Sequence, residues 1–142
     1  MTSVTGLAAV LKNLEALHSR AEAEAGKAVR TTAQMIRSEA IRSIKSHQSS
    51  GNAYKRGNVT HTASAPGNPP NQDRGHLARN IRVELHDDLT ATVGSYATYS
   101  ESLEFGTRKM AARPFMAPAV EGQREKHRQR MVEAIIRLAV KK

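Results

Sequence analysis

Apolar positions recur at the helical period almost from the start of the chain. Leu7, Leu11, Leu14, Ala21, Ala25, Val29, Ala33, Ile36, Ala40 and Ile44 are separated almost everywhere by three or four residues, and Leu17 fills the one wider gap. This spacing predicts a helix from about Thr5 to Ser46. No proline interrupts it, and Gly26 is its weak point, costing about 1 kcal/mol relative to alanine. A straight helix of that length reaches roughly 60 Å. A compact domain of this size is only about 40 Å across. Either the helix breaks near Gly26, as a helical hairpin turning at Ala25-Gly26-Lys27, or its first half packs on something outside the domain. A neighbouring subunit is the natural candidate for that contact.

The pattern then stops. "SHQSSGNAYKRGNVTHTASAPGNPPNQDRG" is rich in Ser, Asn, Gly and Pro and carries little apolar content. Loops beyond about 12–15 residues are usually functional or disordered, so residues 47–75 are expected to form a flexible loop. Tyr54, Lys55, Arg56 and Arg74 are its candidate partner-docking residues, ordering on a partner. A plain disordered insertion has the same composition. Asp73 is placed to cap a short helical turn that holds Leu77.

Alternation takes over next. In "IRVELH", Ile81, Val83 and Leu85 share one face, while Arg82, Glu84 and His86 share the other. After a turn at Asp87-Asp88 comes "TATVGS", and the pair predicts an antiparallel hairpin. Tyr96, Tyr99 and Leu103 are spaced for a short helix that Gly106 stops. Arg113 is pushed toward an extended conformation by Pro114. Pro118 then sits well in the first turn of a last helix running to about Val140. Its apolar stripe becomes firm only from Met131, through Ile135 and Leu138, and the preceding "EGQREKHRQR" is charged all round. The expected architecture is α+β in a single domain, 1–142. It comprises the N-terminal helix (1–46), the loop (47–75), the hairpin with its short helix and extended corner (76–116), and a C-terminal helix (117–142) packed on them.

Composition narrows the function. Lys plus Arg is 22 and Asp plus Glu is 13, for a formal charge of +9. From Gly106 onward the basic residues far outnumber Glu121, Glu125 and Glu133. An anionic partner is one reading and a solvated basic face is the other. With no Trp, two Phe and three Tyr, the core must be built from aliphatic residues and alanine, and stability is expected to draw partly on association. The absence of cysteine removes disulfides and thiolate chemistry. No apolar run approaches the ~20 residues of a membrane span, and the first residues lack the basic start of a secretory signal.

Candidate chemistry is thin. None of the six histidines stands in a metal-ligand frame, and His61, His76 and Asp73 are the one faint cluster. There is no nucleophile elbow and no phosphate-cradling loop, and turn chemistry explains Asp87-Asp88. No catalytic residue, cofactor or metal is therefore expected. The basic last helix, with Arg124, Lys126 and Arg128, keeps a small nucleic-acid-binding protein as the alternative.

Between Ala65 and Glu121 stand, in order, Pro66, Gly67, Pro69, Pro70, Asp73, Gly75, Leu77, Ile81, Val93, Gly94, Tyr96, Ala97, Glu104, Phe105, Gly106, Thr107, Arg113, Pro114, Phe115 and Pro118. In this order and spacing the segment resembles the small neck or tail-completion proteins of long-tailed bacteriophages. Arg74 departs from the pattern, where Thr is common. The resemblance implies a structural virion protein of the neck or tail, made in the host cytoplasm, without catalytic residues and without a membrane role. It implies a homo-oligomeric ring, often sixfold, between head-connector and tail-tube proteins, with genomic DNA passing through the lumen without sequence-specific binding. Within that frame, Glu104, Phe105, Gly106 and Thr107 with Arg113, Pro114 and Phe115 are the candidate structural corner or subunit interface. Phe105 and Phe115 are expected to anchor the core, Gly106 to supply a left-handed backbone, and Arg113 to pair with Glu104, across the corner or across subunits. The same seven residues could equally serve only the stability of the monomer.

Overall fold

A computed structural model describes residues 6–46 and 50–140. Thr5, the predicted helix start, lies outside the described residues. The architecture is α+β, as expected: a long N-terminal helix, two small antiparallel hairpins, short helices, and a C-terminal helix packed on the first.

Helix α1 runs unbroken from Leu7 to Ser46. Gly26 does not bend it; instead Gly26 is buried where another segment presses on the helix. A Cβ added there would lie 2.6 Å from the backbone oxygen of Asp88, so only glycine admits this approach. The adjacent Arg30 donates to the Asp88 carboxylate at 3.1 Å.

The stretch expected as one loop contains a hairpin of its own, the first along the chain. Strand β1, Ala53–Arg56, pairs with β2, Val59–Thr62, and Arg56 faces Val59 across a two-residue turn. Gly57 takes φ 65° there, as a tight hairpin turn requires. β1 is exposed along its whole length, so it lacks the half-buried alternation by which a strand is usually read. Helix α2, His76–Arg79, follows a left-handed Gly75 and has no side-chain cap. Asp73 does not cap it; its carboxylate accepts from Arg56 at 2.8 Å and so ties the first hairpin to this turn.

The second hairpin matches expectation. Strand β3, Ile81–Leu85, pairs with β4, Ala91–Ser95, with Val83 opposite Val93. In the turn, Asp87 accepts the Leu89 N–H at 2.7 Å. That bond, with hydrogen bonds from Thr90, holds the Asp87 carboxyl below its ordinary range. On the outer face the Tyr96 hydroxyl donates to Glu84, which raises the tyrosine pKa, and Arg82 lies over the Tyr96 ring at 5.3 Å. Helix α3 begins only at Ser100 and ends at Phe105, so Tyr96 precedes it. Helix α4 spans Met116–Val140.

The core gathers Ala40 and Ile44 of α1, Leu77 and Ala78 of α2, Ile81, Ala97, Phe115 and Ala119. Helix α4 runs back along α1. Thr32 of α1 lies within hydrogen-bonding distance of His127 Nδ1 (2.9 Å) and accepts from Arg130 (3.2 Å), and farther along Arg137 and Leu138 lie beside Arg20 and Glu24. Small side chains allow this contact: Ala28 and Ala33 on α1, Ala119 and Ala134 on α4 are all buried. Of the stripe expected on α4, Met131 and Leu138 are half-buried but Ile135 departs from it. Ala134 faces α1, whereas Ile135 is 64% exposed and Val132 and Ile136 also face solvent.

Candidate functional site

The corner between α3 and α4 is built around Glu104. Its carboxylate accepts three backbone N–H groups: Phe115 at 2.9 Å, Met116 at 3.0 Å and Ala117 at 2.8 Å. These are orphan donors at the start of α4, so Glu104 caps that helix from a different element and places a negative charge at its positive end. Within one subunit Glu104 does not pair with Arg113, because the capping role occupies the carboxylate; a pair across subunits is a separate expectation. Arg113 instead donates its backbone N–H to Leu103 O at 2.6 Å and its Nε to Ser64 O at 3.2 Å.

Gly106 turns the chain between these elements with φ 76° and ψ −179°. The positive φ is as expected, but the ψ is extended rather than left-handed helical; this region is essentially glycine-only. A Cβ would also meet Ala112 N and Met110 O at 2.8 Å each. Thr107 then closes a tight turn with Met110 through backbone bonds of 2.7 and 3.2 Å. Pro114 stands just before the capped helix. Phe115 anchors the core, 1% exposed, but Phe105 does not: it is 77% exposed.

The corner and the first hairpin meet over one cavity of about 720 Å³. Leu77, Tyr99 and Leu103 form apolar walls. Tyr54, Arg56, Arg74 and Arg113 all reach it, so the structure brings together residues from both predicted sets. Lys55 is exposed on β1 and is not part of the lining. Tyr54 meets His61 edge-on, with ring centroids 5.2 Å apart. Ser64, which sequence reasoning passed over, is buried beneath the cavity, and its Oγ has no hydrogen-bond partner. His61 and Asp73 approach to 4.0 Å, but no group of three metal-ligating side chains occurs among the described residues. Among those residues, too, no helix is long and apolar enough to cross a membrane.

The signal for the Glu104 cap was faint in sequence, since its partners are more than ten positions away. The exposure of Phe105 carried no sequence signal at all.

Residues 8–106 match the family profile described as "Bacteriophage HK97-gp10, putative tail-component". No curated protein and no solved structure matches the chain significantly. The match spans most of the chain, from the long helix through the second hairpin to the Gly106 turn, and the chain belongs to the HK97 gp10-like family of bacteriophage tail components.

Proposed function

We propose that this tail component forms a ring, with six copies the natural count, at the head–tail junction. There it completes or terminates the tail and joins it to the head connector. The observation that carries this reading is the first half of α1. Leu7, Val10, Leu11, Leu14 and Leu17 are all exposed large apolar residues on a segment that extends past the α4 contact. Each is about half-exposed, so leaving it in water forfeits roughly half of the ~1.5–3 kcal/mol that full burial of such a side chain is worth. A concentrated apolar patch of this kind marks an interaction surface. Neighbouring copies and adjoining connector and tail-tube proteins supply its partners, while genomic DNA passes through the lumen.

The basic charge fits outward-facing or protein-facing roles better than DNA readout. On α4, Arg124 pairs with Glu121 and Arg128 with Glu125, at 3.1 and 2.6 Å. These local pairs lower the charge available to phosphates. Native mass measurement and negative-stain imaging of the full chain test the proposal: ring-shaped oligomers, or incorporation at the tail end of virions, are expected. A chain that stays monomeric at every concentration and is missing from assembled tails overturns it, as does tight site-specific DNA binding by the monomer. Arg124 and Arg128 lining a central channel would refute the outward placement of charge.

A further inference from the structure

Phe105 takes no part in the core. Among the described residues Phe105 is the most exposed large apolar side chain, at 77%. Leu103, two positions earlier on α3, lines the cavity. Two steps along an α-helix rotate by about 200°, so Phe105 projects from the side of α3 away from the cavity. One subunit thus carries an apolar knob on one side of α3 and an apolar hole on the other. A knob and hole on different sides of one molecule make a heterologous, head-to-tail contact, the kind that closes rings.

Size and charge point to a second copy as the occupant. The cavity, about 720 Å³, has room for an aromatic ring together with part of the adjoining turn, within the roughly 300–1,000 Å³ of typical ligand sites. Glu101 lies one helical turn before Phe105, on the same exposed face of α3. At the cavity, Arg74 is exposed. Neither Glu101 nor Arg74 has an ion-pair partner among the described residues, whereas Arg56 at the same rim is already neutralised by Asp73.

We infer that Phe105 of one copy seats in the cavity of the next, with Glu101 meeting Arg74, and that this contact propagates around the ring. The inference rests on the ring reading and names its contact. The test uses the full chain in sedimentation and native mass measurements over a wide concentration range. Phe105→Ala is expected to keep the fold and melting temperature, because the side chain is exposed, and to weaken association about thirtyfold or more, as a central aromatic anchor does. Glu101→Arg and Arg74→Glu are each expected to weaken assembly, and the double exchange to restore it. The chain has no cysteine, so Phe105→Cys mixed with Tyr54→Cys should give covalent pairs that neither variant gives alone. Rings that survive Phe105→Ala overturn the contact and leave the ring reading standing. Self-linking of Phe105→Cys alone overturns it in favour of a symmetric contact. A wild-type chain that never associates overturns the ring reading itself.

Discussion

The two halves of α1 share one helix and one period but place their apolar residues in opposite ways. Toward the C-terminal end, the buried positions are mostly small: Gly26, Ala28, Thr32, Ala33 and Ala40, with Ile44 as the one large side chain. Toward the N-terminal end, the large leucines face solvent. Hydrophobicity therefore runs against burial along the helix. Small residues let α4 and the second hairpin come close to the helix axis, and the leucines are left facing solvent, free for the contact proposed with other copies. The sharpest way to break this contrast is a matched pair of truncations. Ile44→Ala should destabilise the isolated subunit by about 2–5 kcal/mol through the cavity it leaves. Leu11→Ala should change that stability by no more than about 0.5 kcal/mol, yet weaken assembly. Urea denaturation of both variants, beside sedimentation, checks the pair. Equal stability losses would mean that the N-terminal half is packed within its own subunit.

The next largest effect sharpens how the core end is closed. Glu104→Ala removes the acceptor for three N–H groups at the start of α4 and should cost about 2 kcal/mol, the upper range for loss of a helix cap. The loss should appear as faster amide exchange at Phe115, Met116 and Ala117, with the N-terminal half of α1 unaffected. A uniform change in exchange along the chain would show that Glu104 acts on global stability and not on the cap.

These contrasts also separate what periodicity could reveal from what it could not. The helices, the β3–β4 hairpin and the Gly106 turn were legible because each leaves a local signature: a three-to-four spacing, an alternation, a glycine where φ is positive. The β1–β2 hairpin was hidden because β1 is exposed throughout and β2 is half-buried only at His61 and Thr62, so neither strand alternates, and only Gly57-Asn58 betrayed its turn. The stripe on α4 was misassigned at Ile135 because bulk was taken as a sign of burial. The contact with α1 selects small side chains, so Ala134 is inside and Ile135 outside. The two phenylalanines make the same point at the candidate site. They flank one corner and have identical chemistry, but only Phe115 is held inward, by the capped start of α4. Arg113 and Glu104 both stand at the corner, where each bonds to backbone and not to the other within the subunit.

At the boundary between the two halves of α1, Gly26→Ala sets two effects against each other. Alanine improves helix propensity by about 1 kcal/mol, and its methyl group collides with the Asp88 backbone oxygen, 2.6 Å away. Overpacking against backbone costs about 1–3 kcal/mol, so a net loss of roughly 1 kcal/mol is expected in denaturant midpoints. A gain in stability would mean that the β3–β4 turn swings aside, and that the border between the halves is soft.

The smallest effect tests the same border through pH. The Asp87 carboxylate accepts the Leu89 N–H and so shapes the turn that presents Asp88 to Gly26 and Arg30. Its pKa is lowered in the folded protein, first by that backbone bond and then by Thr90. A lowered folded value means that the stabilisation is complete above the unfolded carboxylate pKa and fades as pH falls through the folded one. The group is exposed, so the effect on global stability is minor and the readout must be local. Amide exchange at Leu89, compared with the exchange expected from intrinsic rates alone, should lose protection as the solution is acidified below the ordinary carboxylate range. Asp87→Ala should remove that pH dependence while leaving the Arg30–Asp88 pair in place at neutral pH. Protection at Leu89 that persists unchanged into strong acid would show that the turn is held by the Gly26 contact alone, making the close approach to α1 the cause of the turn's shape and not its consequence.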